Sequence, residues 1–248
     1  MITLWGNPAG KEIQVAGART PELIAPGVYR INAIGLPNAV SVLLLENDDG
    51  WTLVDTGVEG SVARIQDAIA ALDSGPEDLK RIFITHQHDD HIGGLPGLLE
   101  WAPHAEAGTS QHEADVISGR RGLDPFSNPV TRFLARNARP PGIPIGKVLH
   151  EGDLVSGFRV IATPGHTLGH LSLLREADGL LFTGDAFGAL LGLRVGGIKA
   201  LCADPPLAKR SARKLLKEDF GTVIMTHGTP LYNGARERLE EAVARCNY

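Results

Sequence analysis

Only two cysteines occur in 248 residues, Cys202 and Cys246, and neither belongs to a CxxC pair. A disulfide framework needs more, so both are expected to be buried structural thiols. No run of about 18 apolar residues is present, which argues against a membrane-spanning helix. Met1 to Lys11 carry no basic segment followed by an apolar one, so no signal peptide is expected and residence in the cytoplasm is. Positive charge is not in excess. With 24 Lys and Arg against 29 Asp and Glu the net charge is −5, and a nucleic-acid partner, which needs a basic surface, is not expected. No low-complexity linker divides the chain. At 43% hydrophobic and 21% charged it has the composition of a soluble globular protein, and α/β folds often fill this length as one domain, taken as residues 1–248.

Apolar stretches with β-branched residues predict strands at Val28–Ile34, Val40–Leu45, Trp51–Val54, Arg81–Thr85, Arg159–Ala162, Leu171–Leu174, Leu180–Thr183 and Thr222–Thr226. Helical spacing links Val62, Ile65, Ile69 and Leu72. It also links Ala208, Ala212, Leu215 and Leu216, behind Asp204 as N-cap and Pro205 at the first helical position. Leu239, Ala242, Val243 and Cys246 predict a last amphipathic helix. Ser110 and Glu113 have the spacing of a capping box.

A weak internal repeat says more than any single element. Leu44-Leu45-Glu46-Asn47-Asp48-Asp49-Gly50 resembles Leu173-Leu174-Arg175-Glu176-Ala177-Asp178-Gly179, each with an Asp-Gly turn between apolar runs. Each hairpin ends at an Asp/Gly/Thr cluster, Asp55-Thr56-Gly57 or Thr183-Gly184-Asp185. Each is followed by a helix and by a strand running into a histidine, His86 or His227. Two similar ββαβ halves would pack sheet on sheet, with helices outside and strand ends at one edge.

The chemistry is concentrated in Thr85-His86-Gln87-His88-Asp89-Asp90-His91-Ile92-Gly93-Gly94. Three imidazoles and two carboxylates directly after an apolar strand would make a poor core, but they are the donors that zinc accepts. His86 and His88, two apart on extended backbone, point the same way and can grip one ion; Asp90 and His91, beyond a turn, can grip a second. Gly93 and Gly94 are expected to let the backbone bend back under the cluster. His166 in a Pro-Gly turn, Asp185 at a hairpin end and His227 after a strand are weak signals singly. Together with the first motif they bring the count to seven ligands, and Asp185 can bridge two ions.

This set, in this order and spacing, resembles the metallo-β-lactamase superfamily, and Leu53-Val54-Asp55-Thr56-Gly57 resembles the first motif of that family. The resemblance spans residues 28 to about 245. It implies an α/β fold, a four-layer αββα sandwich with two pseudo-repeated ββαβ halves. It implies two divalent metal ions, zinc foremost with iron or manganese as alternatives. One would be held by His86, His88 and His166, the other by Asp90, His91 and His227, with Asp185 between them. A hydroxide bridging the two would be the nucleophile, Asp90 would be catalytic by orienting it or protonating the leaving group, and Asp55 would hold the metal-binding loop. His104, His112, His150 and His170 fall on no ligand position and are expected to be structural or at the surface, with His170 a candidate to orient a ligand.

Within such a family, substrate is narrowed by exclusion. Relatives of glyoxalase II carry a helical C-terminal domain, whereas His227 is followed here by 21 residues. Asp185 argues against a true β-lactamase, and Phe187 stands where acyl-homoserine lactonases place a tyrosine. The absence of a long basic insertion argues against a nuclease. The expected partner is a small-molecule ester, thioester or lactone. A persulfide dioxygenase with one iron, or phosphodiesterase or β-lactamase activity on the same fold, is the alternative. Residues from about Gly119 to Lys147 have no counterpart in the repeat and are expected to form a helical insertion over the site. Its apolar face would be Phe126, Val130, Phe133 and Leu134, opposite Arg132, Arg136 and Arg139.

Overall fold

Strands that read as unbroken apolar runs belong in sheets covered on both faces, and that is how the chain uses them. A computed structural model describes residues 20–247; the readings made on Met1 to Lys11 lie outside the described residues. The first sheet is formed, in spatial order, by β1 (Glu22–Ala25), β2 (Val28–Asn32), β3 (Ser41–Asn47), β4 (Gly50–Val54), β5 (Leu79–Phe83), β6 (Glu106–Ser110) and β7 (Lys147–Leu149). Helix α1 (Val62–Ala70) connects β4 to β5. Helices α2 (Asp89–Ile92) and α3 (Leu95–Trp101) lie between β5 and β6, and α4 (Gln111–Ile117) and α5 (Pro129–Leu134) between β6 and β7. The second half contains β8 (Leu154–Val155), β9 (Phe158–Ala162), β10 (Leu171–Arg175) and β11 (Leu180–Phe182). A ribbon of β12 (Phe187–Gly188) and β13 (Arg194–Val195) follows, then α6 (Pro205–Leu215), β14 (Thr222–Ile224) and α7 (Ala235–Arg245). The second sheet is ordered β14-β11-β10-β9-β8.

The repeat is visible in the pairing. β3 pairs antiparallel with β4, which pairs parallel with β5 across α1; β10 pairs antiparallel with β11, which pairs parallel with β14 across α6. Alternation then sorts the side chains into three apolar layers. Leu43, Leu45, Val54 and Phe83 meet Phe158, Val160, Leu173 and Phe182 between the sheets. Val42, Leu44 and Leu53 turn outward onto Ile65 and Ile69 of α1. Leu174, Leu181 and Val223 turn outward onto Ala212, Leu215 and Leu239 of the last two helices. This is the four-layer αββα sandwich. Among the described residues no helix is long and apolar enough to cross a membrane, and Cys202 and Cys246 are both buried and free.

Four strands stop short of their predicted ends: β2 stops at Asn32 rather than Ile34, β11 at Phe182 rather than Thr183, and two others locate the site. β5 ends at Phe83 rather than Thr85, and β14 at Ile224 rather than Thr226. Their last residues leave the ladder to join the two sheets: Leu171 N–H donates to the Thr85 carbonyl (3.1 Å) and Ser41 N–H to the Thr226 carbonyl (2.9 Å).

Three local expectations are corrected. Ser110 caps α4 by accepting from Glu113 N–H (3.3 Å), but the Glu113 carboxylate turns into the protein instead of closing the capping box. In the 119–147 segment the helix is only six residues long. Its apolar residues Val130, Phe133 and Leu134 are 68%, 61% and 72% exposed, so they do not pack on the domain as a face; the Phe126 ring alone reaches the site, 5.6 Å from the His88 ring centre. Arg132 and Arg136 bond the backbone carbonyls of Phe126 and Phe133. Gly93 and Gly94 have ordinary helical dihedrals, so backbone freedom is not why they are glycine. Close approach is the reason. A Cβ on Gly94 would lie 2.4 Å from the Thr56 carbonyl, and one on Gly93 2.7 Å from Glu59 N.

Because the metal-loop helix docks on the end of β4 through this contact, Gly94→Ala is expected to lower unfolding free energy by about 2 kcal/mol or more. The measurement is a urea titration; a change within about 0.5 kcal/mol would show that the loop relaxes freely.

Candidate metal centre

The side chains that carry the chemistry leave the ends of β5, β11 and β14 and the turn after β9, which the fold brings to one edge of the two sheets. Asp55 closes β4. It is fully buried, with φ +61°, in the left-handed region that a non-glycine residue occupies at a cost of about 1 kcal/mol or more. That conformation aims its carboxylate under the metal loop. Thr85 N–H donates to Asp55 Oδ1 (2.8 Å), the Thr85 hydroxyl to Oδ2 (2.8 Å) and His91 Nδ1 to Oδ2 (2.7 Å). Next to it, Thr56 donates from both its N–H and its hydroxyl to the His91 carbonyl, each at 2.7 Å. Asp55 is thus both a turn residue and the anchor of His91.

Four of the five clustered imidazoles have their Nδ1 side committed. His91 donates to Asp55, His166 to the Gly196 carbonyl at 3.1 Å, and His227 to the Ala39 carbonyl. His86 donates to Thr85 Oγ1 at 3.0 Å, since that hydroxyl spends its own proton on Asp55. Carboxylates and carbonyls only accept, so each of these rings keeps a proton on Nδ1 and turns Nε2 to the centre. His88 presents Nδ1, 3.1 Å from His86 Nε2 and 2.9 Å from His166 Nε2. On the other side, Asp90 Oδ2 lies 3.1 Å from His227 Nε2. Asp185 lies between the groups, with Oδ2 3.3 Å from His166 Nε2 and 3.4 Å from His227 Nε2, and Oδ1 3.6 Å from His91 Nε2.

Whether these residues fit divalent cations can be tested on the atoms themselves. His91 Nε2 and Asp185 Oδ1 are buried, face one another and have no hydrogen-bond partner among the described residues. Orphaned buried polar atoms of this kind are costly unless something else satisfies them. Donor atoms gather, each set within 4.8 Å, as His86-His88-His166, as His86-His91-Asp185 and as Asp90-His91-His227. Electrostatics divides the centre in the same way. Burial, helped by neighbouring imidazoles, holds His86 well below the usual histidine range, pushes His88 down to about 3 and lowers His166. Burial also opposes charge on His91 and His227, but Asp55, Asp90 and Asp185 around His91 raise it to about 9. Asp185 and Asp90 raise His227 to about 11. Burial is likewise outweighed at Asp90 and Asp185, which stay ionised beside these rings. A position where carboxylates favour positive charge beside bare ring nitrogens suits a divalent ion.

Three further groups position the ligands: His170, which the sequence already offered as a candidate to orient a ligand, and Glu113 and Asp124, which it did not. His170 is buried and neutral, its Nε2 accepting from Asp185 N–H (3.0 Å) while Nδ1 donates to Thr163 Oγ1 (2.8 Å). It holds the backbone of the central aspartate. Glu113 Oε1 accepts from the Thr167 hydroxyl (2.6 Å) and Gly169 N–H (3.0 Å), clamping the turn that presents His166. Asp124 accepts from Leu168 N–H (2.6 Å) and from His112 (2.8 Å), and its own N–H donates to the Gln87 side chain (3.1 Å), so it ties the two histidine loops together. His104 and His150 remain at the surface, as expected. The strongest clue in sequence was the Ser110/Glu113 spacing, which pointed to the right residue for a different job.

The cluster opens into a cavity of about 150 Å³, walled by Leu190, Leu191, Ile198 and Leu201 with Arg194. That wall comes from the β12–β13 ribbon and the loop beyond it, and the 119–147 segment contributes no residue to the lining.

Comparison with known proteins settles the family. The model of the metallo-beta-lactamase superfamily matches residues 35–227. The chain belongs to that superfamily. An uncharacterized protein of Bacillus subtilis, YobT, is 29% identical over 216 residues, covering 83% of this chain and 90% of that one. A hydroxyacylglutathione hydrolase of Rhodobacter capsulatus is 32% identical over 135 residues; the match takes in 54% of this chain but 44% of the hydrolase's length. Among solved structures, a metallo-beta-lactamase family protein from Thermus thermophilus is 26% identical with a TM-score of 0.64, over 89% of this chain and 79% of that one. The chain is a metallo-hydrolase of this superfamily, whose members bind divalent metals, and its own histidines and aspartates form groups able to hold them.

Glu113 generates a pH prediction. Burial pushes its carboxyl from the ordinary 4.5 up to about 8, against the hydrogen bonds from Thr167 and Gly169. Between those values the folded chain keeps a proton that the unfolded chain has lost. Stability from this group is therefore full below pH 4.5 and declines as pH rises to about 8. Glu113→Gln keeps the accepting oxygen and removes the titration, so urea midpoints of the variant should flatten over that interval. Parallel pH profiles for the two proteins would refute the assignment.

Proposed function

We propose that the chain hydrolyses a small ester, thioester or lactone with two divalent cations, zinc foremost. One would be held by His86, His88 and His166, the other by Asp90, His91 and His227, with Asp185 shared. The observation that carries this reading is the pair of buried, unpartnered atoms, His91 Nε2 and Asp185 Oδ1, lying where the two donor groups meet. Two donor trios and a carboxylate between them support two ions, and so favour hydrolysis over a single-iron oxygenase.

Cations bound there lower the pKa of water toward neutrality and polarise a substrate carbonyl. The protein's own residues do the rest. Asp90, ionised and half-buried at the cavity, accepts a proton from the attacking water and can return it to the leaving oxygen or sulfur. Asp55, Thr85 and His170 keep His91, His86 and Asp185 from turning, so that little reorganisation remains at the moment of reaction. The apolar wall limits water around the scissile bond. The small cavity suits a small substrate, and the name of one relative, hydroxyacylglutathione hydrolase, supports a thioester among the candidates.

Metal analysis of protein purified without chelator should find two ions per chain. One tightly held iron with no second site that zinc or manganese can fill would turn the assignment toward the oxygenase. Asp185→Asn should lower turnover by about 100-fold or more, while the melting temperature of the metal-free protein moves by about 2 °C or less. Unchanged turnover in this variant would sink the shared-carboxylate arrangement.

A further inference from the structure

The cavity wall combines two features that a folded protein does not keep without use. Leu190, Leu191 and Ile198 are 51%, 65% and 39% exposed, three large aliphatic side chains side by side at one opening. Single exposed leucines are ordinary, but a contiguous set lining a concave site marks a surface that another molecule covers. Leu201 extends it inward. Arg194 lines the same cavity from β13, and its guanidinium has no hydrogen bond or ion pair among the described residues. Arg30, Arg81, Arg159 and Arg175 each pair with a carboxylate, and Arg194 is the arginine that faces the site. The remaining charged lining groups, Asp90 and Asp185, are engaged with histidines.

Resting on the hydrolytic reading above, we infer that the substrate is an aliphatic ester, thioester or lactone whose hydrocarbon part carries an anionic group. The hydrocarbon lies on Leu190, Leu191, Ile198 and Leu201, and the anion, a carboxylate or its equivalent, pairs with Arg194. The planar guanidinium offers a two-pronged donor to a carboxylate, which a neutral chain end cannot use. Arg194 then acts on binding and selection and takes no part in bond cleavage.

The test uses the full-length, zinc-loaded chain and two methyl esters of matched chain length, monomethyl suberate with a distal carboxylate and methyl octanoate without one. The wild-type protein should favour the carboxylate ester in kcat/KM by about fivefold or more, expressed in KM. Arg194→Gln should erase that preference and Arg194→Lys should keep part of it. No preference in the wild type, or a preference that survives Arg194→Gln, overturns the inference. If neither ester is hydrolysed, the hydrolytic reading fails for this substrate class and calorimetric binding decides the inference separately. Monomethyl suberate should then bind more tightly than methyl octanoate to the wild type and equally to Arg194→Gln. Equal binding of the two esters to the wild type overturns it.

Discussion

The carboxylate of Asp55 is the point on which the rest of the site turns. It lies fully buried at the end of β4, in a left-handed backbone conformation, and receives three donors: Thr85 N–H, the Thr85 hydroxyl and His91 Nδ1. A buried charge is tolerable only when so satisfied. Each of those donors belongs to the loop that must be fixed. Through Thr85 the same carboxylate sets the proton position on His86, and directly it sets that on His91. Its strain is thus tied to the orientation of two ring nitrogens, one in each donor group.

The ligands of the second half of the chain are held differently. Where a carboxylate beneath the loop anchors those of the first half, a neutral imidazole, His170, holds the Asp185 backbone, and a buried carboxyl from the first half, Glu113, reaches across to hold the His166 turn. The difference follows from charge. Beside His91, carboxylates raise the affinity for protons, whereas burial, with neighbouring imidazoles adding to it, keeps His86, His88, His166 and His170 neutral. The sandwich supplies the dry surroundings in which these contacts count, because apolar layers cover the strands up to the residue before the site begins.

A polar cluster able to hold metal, next to an open aliphatic wall, also divides labour between rigid and adaptable parts. The histidines and aspartates come from strand ends anchored in the core. The wall comes from a two-stranded ribbon and a loop at the surface, where sequence can change without disturbing the centre.

Eight strands and five helices were legible in the residues, because hydrophobic alternation and capping act over a few positions; Asp204 caps α6 as its spacing indicated. So were the ββαβ repeat and the seven side chains that the fold gathers at one edge, because imidazoles and carboxylates at the ends of apolar strands have no ordinary place in a core. Local pattern could not decide the use of a side chain whose partner is distant. Glu113 reads as half of a capping box and instead binds a turn 54 residues on; Gly94 reads as a flexible hinge and is glycine because Thr56 lies against it. Phe133 reads as part of a packed face and is left in solvent, since a six-residue helix offers the domain too little surface to dock on. The order of residues was therefore enough for the layered fold and for the atoms that could bind metal. The tautomers, the clamp on the His166 turn and the wall of the cavity emerged only in three dimensions, because each depends on contacts between residues that the chain brings together only when both sheets close.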